Sequence, residues 1–378
     1  MNGALVLRAA RPVRVLFALV AFAPWWCNSR PLLELAGGRL GSPATEGCDA
    51  VDWCFATIGF AELLWQARRS RIARGAVVLL GLLLMVGAFT GDGATSGSRG
   101  GEHLEPSSAA SSSSFTVPAP ISWSPGVVDP VWFMDPTARA PMPPSPRHWL
   151  GSDPAGYDLL ARLLFALRGS LAIAVAAAAV MLTIGVAIGG VCGTLRGRFD
   201  LLAMRGIEVL LCFPHFFLVL FVLTYLPRSG TTLVMILGLT GWTGVARLVR
   251  GEFFRLAQEE FVLAAEALGA SRWQIAWRHQ LRNAMAPVFA AAPFAIAGAL
   301  LTEFTLSWLG LGVARGAASL GTMLEEGHRA VKDDGPVRLT IVPTLTLVVV
   351  VLAFHHLAER LRRANTPDGE ALEPESLR

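Results

Sequence analysis

Apolar residues along this chain gather into eight stretches, each near the roughly 20 residues that cross a bilayer as a helix. Five are well marked: LAIAVAAAAVMLTIGVAIGGVCG (171–193), IEVLLCFPHFFLVLFVLTYL (207–226), TLVMILGLTGWTGVARLV (232–249), AMAPVFAAAPFAIAGALLT (284–302) and LTIVPTLTLVVVVLAFHHL (339–357). Three weaker ones precede them, at 12–27, 51–66 and 75–90. Arginines punctuate the series in clusters at 68–74, 196–205, 247–255 and 360–363. Eight spans with both termini inside place every cluster in the cytoplasm, where basic loops are retained. Dropping 51–66 alone would put Arg68, Arg69, Arg71 and Arg74 outside, and dropping 75–90 as well would leave six spans. The pattern predicts an all-α polytopic membrane protein. Its N-terminus, with Arg8, Arg11 and Arg14 before an apolar run, also fits a signal peptide. An uncleaved first span is expected instead, because no small-x-small site follows and Pro24, Trp25 and Trp26 suit an interfacial belt.

Composition agrees, since the 378 residues are 53% hydrophobic and 16% charged with a mean hydropathy of +0.51, which excludes an ordinary soluble domain. The net charge of +4 is almost wholly arginine, Lys332 being the only lysine, and implies topology rather than a nucleic-acid partner. The five cysteines have no metal-ligand spacing, so no metal or other cofactor is expected; Cys48 and Cys54 are either free thiols or, in an outer loop, a disulfide. Residues 91–147 are Gly/Ser-rich and then Pro-rich, the composition of an external low-complexity loop. The stretch 304–338 reads as another outer loop, with Glu325, Glu326, His328, Arg329, Lys332, Asp333 and Asp334 as a solvated face.

One inner segment is built differently. Residues 253–268 read as one helix and 272–281 as a second, with Gly269 able to take the left-handed conformation that ends a helix. Ser271 stands at the next N-cap and Gln274, three residues on, completes a capping box. Phe261, Ala264, Ala265 and Leu268 share one face, as do Trp273, Trp277 and Leu281, while Arg272, Arg278 and Arg282 face solvent or lipid phosphate. Periodicity leaves two readings open: a helix pair lying on the membrane, or one inserted into a groove on a partner protein.

The residues here carry a resemblance. Ala264, Ala265 and Gly269, then Arg278, His279, Leu281 and Asn283, are similar to the EAA loop of ABC-importer permease subunits. GWTGVARLVRGE (241–252) resembles the segment leading into it. HWLGSDPAGYDLLARLLFALRGSL (148–171), with Gly151, Asp153, Gly156 and Asp158, resembles the start of the family's transmembrane core, and EFTLSWLGLGV (303–313), headed by Glu303, resembles its E-x-x-L-S-F-L-G-L-G. These landmarks recur in the dipeptide, oligopeptide and nickel branch and cover about residues 148–360. The resemblance implies an importer-type ABC transmembrane domain: a six-helix core plus an inserted pair of spans. Residues 1–90 would be the N-terminal membrane region and 361–378 a cytoplasmic tail. It also implies that 253–283 is the loop on which separate ATPase subunits dock, with Glu260, Ala264, Ala265, Leu268, Gly269, Arg278, His279 and Asn283 as its elements. A second permease subunit and an external solute-binding protein would complete the assembly, in the bacterial inner membrane.

Four positions depart from the family pattern: Leu263 for the Glu of E-A-A, Arg282 for the Pro of L-P-N, Tyr157 for the Arg of G-R-D, and Thr243 for the Pro of G-W-P-G. The first removes an ion pair with the ATPase for which Glu260 or Glu266 is available, and the second removes a fixed break before the next span. They keep a rival open, a membrane scaffold with the permease fold but no ATPase coupling. The chain has no G-x-x-x-x-G-K-[ST] and no H-E-x-x-H, so neither ATP hydrolysis nor zinc proteolysis is expected of it. His355 and His356 read as interfacial packing beside Glu359, and Glu62 and Glu208 as interfacial or arginine-paired groups. Glu303 reads as a structural hydrogen-bond acceptor for the turn that follows it. Pro214, Pro287, Pro293 and Pro343 would kink helices around a translocation path.

Overall fold

The computed structural model describes residues 33–36, 39–41, 115–117, 128, 140–313 and 319–365. The expected spans at 12–27, 51–66 and 75–90 lie outside these residues, as do Cys48, Cys54 and Glu62. The architecture is helical, as expected, apart from a small antiparallel sheet of β1 (Leu33–Ala36), β2 (Arg39–Gly41) and β3 (Phe115–Val117) in the order β2-β1-β3. The helices are α1 (Leu159–Leu195), α2 (Gly197–Cys212), α3 (His215–Thr224), α4 (Gly230–Gly241) and α5 (Thr243–Leu256). They continue with α6 (Glu260–Ala267), α7 (Arg272–Ile275), a π-turn (Ala276–Gln280), α8 (Leu281–Trp308), α9 (Leu320–Lys332) and α10 (Arg338–Asn365).

Among the described residues, three helices are long and apolar enough to cross a membrane: Leu159–Leu195, Arg272–Trp308 and Arg338–Arg363. Two bent pairs raise the number to five, matching the five well-marked stretches. Pro214 causes the sharper bend. Its nitrogen cannot donate back to Leu210, so α2 stops at Cys212, α3 starts at His215, and their axes turn by 77°. The bend between α4 and α5, at Trp242, is 40°. Pro287, Pro293 and Pro343, by contrast, sit inside continuous helices.

Contacts divide the chain into two compact units. In the first, described over 170–313 and 345–365, Gly185, Gly189 and Gly193 on α1 form a stripe against α5. A Cβ at Gly185 would lie 2.5 Å from the Val245 Cβ, and one at Gly189 would come within 3.0 Å of the Ala246 carbonyl oxygen. Such small-residue seams let helix backbones approach closely where lipid supplies no hydrophobic drive. Val245, Val249, Phe253 and Leu256 of α5 then pack on Ala276 and on Ala284 and Val288 of α8.

The second unit, described over 140–169 and 319–344 together with the sheet, is organised by buried polar groups. Asp153 Oδ1 accepts from the Ala155 and Tyr157 amides, both at 2.9 Å, and Asp153 Oδ2 pairs with Arg162. Arg162 also reaches Glu326 of α9 at 2.8 Å. Asp158 caps α1 by accepting the Ala161 amide at 2.7 Å and holds His148 Nδ1 at 2.9 Å through its other oxygen. Gly151 (φ +78°), two residues before Asp153, and Gly156 (φ +86°), between the two carboxylates, both take the left-handed conformation. The stretch expected to be a solvated outer loop therefore contains a helix. α9 opens with a capping box at Ser319 and Thr322, buries Leu320, Met323 and Gly327, and pairs the half-exposed Glu326 with Arg162.

Candidate partner-docking site

The segment from Phe253 to Asn283 lies wholly in the first unit, and its local structure corrects two boundaries. The helix expected over 253–268 is interrupted at 257–259. Leu256 and Val262 are both buried, at 3% and 1% exposure. Six residues along an unbroken helix would rotate them about 240° apart, onto different faces. The chain instead tightens, with Gln258 donating to the Arg255 carbonyl and Glu259 to that of Leu256, and restarts as α6 with Val262 turned inward. Neither Gly nor Pro marks this break, so the sequence offered no sign of it.

The turn at Gly269 is as expected. Gly269 has φ +84°; its amide donates to the Glu266 carbonyl at 2.9 Å, and the Ala270 amide to that of Ala265 at 3.1 Å. These are the paired bonds of a Schellman ending. Ser271 and Gln274 close the capping box, with the Ser271 amide donating to Gln274 Oε1 at 2.9 Å and the Gln274 amide to Ser271 Oγ at 3.3 Å.

The second correction concerns the helix expected to end at 281. α7 passes through the π-turn, where the Leu281 amide bonds back to the Ala276 carbonyl, directly into α8. The result is one helix of 37 residues, Arg272–Trp308. Arg282 retains a backbone N–H, and the helix runs on through it. The wider turn brings Ile275, Ala276 and Gln280 together on the buried side, and the Gln280 amide nitrogen reaches the Phe253 carbonyl at 3.5 Å.

With Phe253, Leu256, Val262, Ile275, Ala276 and Gln280 inward, five other large apolar side chains of the segment are exposed. Leu268 is 89% exposed, Trp277 68%, Leu263 52%, Trp273 46% and Phe261 40%. Phe261, Ala264 and Leu268 lie on the exposed side with Ala265 half-buried, and Trp273 and Trp277 are exposed with Leu281 half-buried. Arg272, Arg278 and Arg282 are exposed, as are Glu260 and Glu266. His279 is half-buried with its ring 6.4 Å from that of Phe261, and Asn283 Nδ2 donates to the His279 carbonyl at 2.9 Å. The segment thus exposes five large apolar side chains together with charged ones. Glu303 is elsewhere, near the opposite end of α8, fully buried and accepting from Ser307 Oγ at 2.7 Å. Gly151, Asp153, Gly156 and Asp158 belong to the other unit.

A brace that sequence reasoning missed steadies the helix that leads into the segment. Arg250 of α5 donates from Nε and Nη2 to the two oxygens of buried Asp200 on α2, at 2.5 and 2.7 Å, and lies over the Phe254 ring at 4.5 Å. The partners are 50 residues apart, so no local spacing signals them. Arg250→Ala strands a buried carboxylate, and the melting temperature of the detergent-solubilised protein is expected to fall by roughly 5 °C. Arg250→Lys should recover only part of this, since an ammonium cannot match the two-pronged geometry.

Residues 185–364 match the family described as binding-protein-dependent transport system inner membrane component. The chain is 36% identical over 229 residues to the oligopeptide transport system permease protein OppC of Bacillus subtilis, covering 61% of this chain and 74% of that one. It is 34% identical over 226 residues to the dipeptide transport system permease protein DppC of the same organism, covering 60% and 70%. To the peptidoglycan transport system permease protein YejE of Agrobacterium fabrum it is 32% identical over 248 residues, covering 63% and 64%.

Proposed function

This chain belongs to the permease subunits of peptide-type, binding-protein-dependent ABC importers, and on that premise we propose that the segment at 253–283 is where separate ATPase subunits dock to drive inward movement of peptides or similar small solutes. The chain itself serves as a non-catalytic subunit. In this reading it pairs with a second permease subunit, receives cargo from an external solute-binding protein and lies in the inner membrane with both termini cytoplasmic. The eight-span arrangement and the cytoplasmic position of the arginine clusters belong to the same proposal.

The observation that carries it is the exposure of Leu268, Trp277, Leu263, Trp273 and Phe261 on a segment that follows directly on the helix braced by Arg250 and Asp200. A groove on a partner that received these side chains would remove them from water. Its movement would then pass along α5 on one side and along the unbroken Arg272–Trp308 helix on the other, as a rigid body. Leu263 adds an apolar contact where the family has Glu, and Glu260 and Glu266 stand exposed beside it for a basic partner.

Leu268 gives a clean test because, at 89% exposure, it contributes almost nothing to the packing of its own chain. Leu268→Asp is expected to reduce ATPase co-purification at least about tenfold, as loss of a central apolar anchor does. Membrane insertion and melting temperature should stay at wild-type values. Unchanged ATPase recovery and uptake would place docking elsewhere.

A further inference from the structure

Besides the Arg250–Asp200 brace, the two bent pairs of the first unit share a polar contact close to both breaks. His215, the residue after the Pro214 break, has Nε2 2.9 Å from Oγ1 of Thr240, which lies just before the Trp242 break. α4 has 12 residues and α5 has 14, about 18 and 21 Å of helix, so Thr240 lies near the middle of that bent span. The surroundings are apolar: Leu211, Phe213, Phe217 and Leu239 are all exposed, and so is His215 itself. Thr240 Oγ1 also donates to the Ile236 carbonyl at 2.7 Å, which consumes its only proton. Toward His215 it must therefore accept, so the neutral ring carries its proton on Nε2 and presents Nδ1 as an acceptor. Among the described residues that nitrogen has no hydrogen-bond partner.

An unpaired acceptor on an exposed ring beside the middle of a membrane-compatible helix pair would be costly against lipid, and broken helices within the bilayer are tolerated where they line a water-filled cavity or protein. From these features we infer that His215 lines the translocation path and offers Nδ1 to an N–H donor of the cargo, either a peptide amide or the terminal ammonium. Thr240 is the positioning residue that fixes the tautomer. The inference rests on the importer reading for its cargo, and on geometry alone for the aqueous path.

The test uses the complex assembled with its ATPase and sister permease and reconstituted into phosphatidylcholine proteoliposomes. H215C, in a chain whose other five cysteines are serine, is expected to react with a charged, membrane-impermeant methanethiosulfonate. In uptake assays with tri-L-alanine and its N-acetyl form, His215→Phe should raise the apparent KM about 5- to 10-fold with little change in kcat. His215→Asn, which keeps an acceptor near the Nδ1 position, should stay within about twofold of wild type. A rise for both peptides identifies the amide as donor, and a rise confined to the free-amine peptide identifies the ammonium. An unreactive H215C, or a His215→Phe chain with unchanged KM for a peptide that wild type transports, overturns the inference. If wild type moves neither peptide with ATP, peptide import is what fails, and H215C reactivity alone still decides whether the position meets an aqueous path.

Discussion

Gly269→Pro is expected to abolish ATP-driven uptake while leaving the chain inserted in the membrane. Proline holds φ near −65°, whereas Gly269 has φ +84°, and proline lacks the N–H that here donates to the Glu266 carbonyl. Both bonds of the Schellman ending fail together, and the direction in which α7 leaves α6 is lost. The surroundings do not confuse the result, because a Cβ at this position would meet nothing within 4 Å. Gly269→Ala therefore isolates backbone strain of about 1–2 kcal/mol, and Gly269→Asn less, since asparagine tolerates the left-handed region. Uptake in proteoliposomes should follow the order Gly, Asn, Ala and then Pro, with only the last near zero. ATPase co-purification separates two ways of failing: loss of the partner means that the turn shapes the docking surface, whereas a retained but idle partner means that it transmits force. Wild-type uptake by the proline variant would remove the docking proposal for this segment.

Legibility followed the range of each interaction. The Gly269 turn and the Ser271–Gln274 box are local devices, complete within six residues, and could be read before any coordinates. The five well-marked apolar stretches likewise coincide with membrane-compatible helices, because composition over about 20 residues determines the solvent a helix prefers. The interruption at 257–259 was hidden, since it follows from Leu256 and Val262 both being buried, and the cluster that buries Leu256 is completed by residues of α1 and α8 far along the chain. α9 was read as a charged loop because its large buried apolar side chains, Leu320 and Met323, are few and it relies on Gly327, whose Cβ would collide with the backbone around Leu339. Arg250 with Asp200 and His215 with Thr240 were out of reach for a simpler reason. Pairs 50 and 25 residues apart leave no periodic trace in one sequence.

A large effect on the scaffold should come from a single methyl group. Gly189 and Gly190 are neighbours on α1, and replacing either with alanine gives the helix the same gain in intrinsic propensity, about 1 kcal/mol. Their surroundings differ. A Cβ at Gly190 would sit 3.5 Å from Phe253 Cζ, an ordinary contact, whereas one at Gly189 would come within 3.0 Å of the Ala246 carbonyl oxygen. That oxygen is main chain and cannot rotate away, so α5 must move outward as a unit. Separation of α5 from α1 disturbs the Val245, Val249 and Phe253 packing, and with it the Arg250 brace and the Gln280 contact to Phe253. Gly190→Ala is thus expected to be neutral or slightly stabilising, and Gly189→Ala destabilising by about 1–3 kcal/mol, the usual cost of overpacking. Gly189→Val should go further and reduce folded protein recovered from membranes at least about tenfold. Because the two alanine variants have the same composition, any difference between them in melting temperature measures the seam between α1 and α5. If Gly189→Ala matches Gly190→Ala in stability and uptake, that seam is not what holds the 253–283 segment in place.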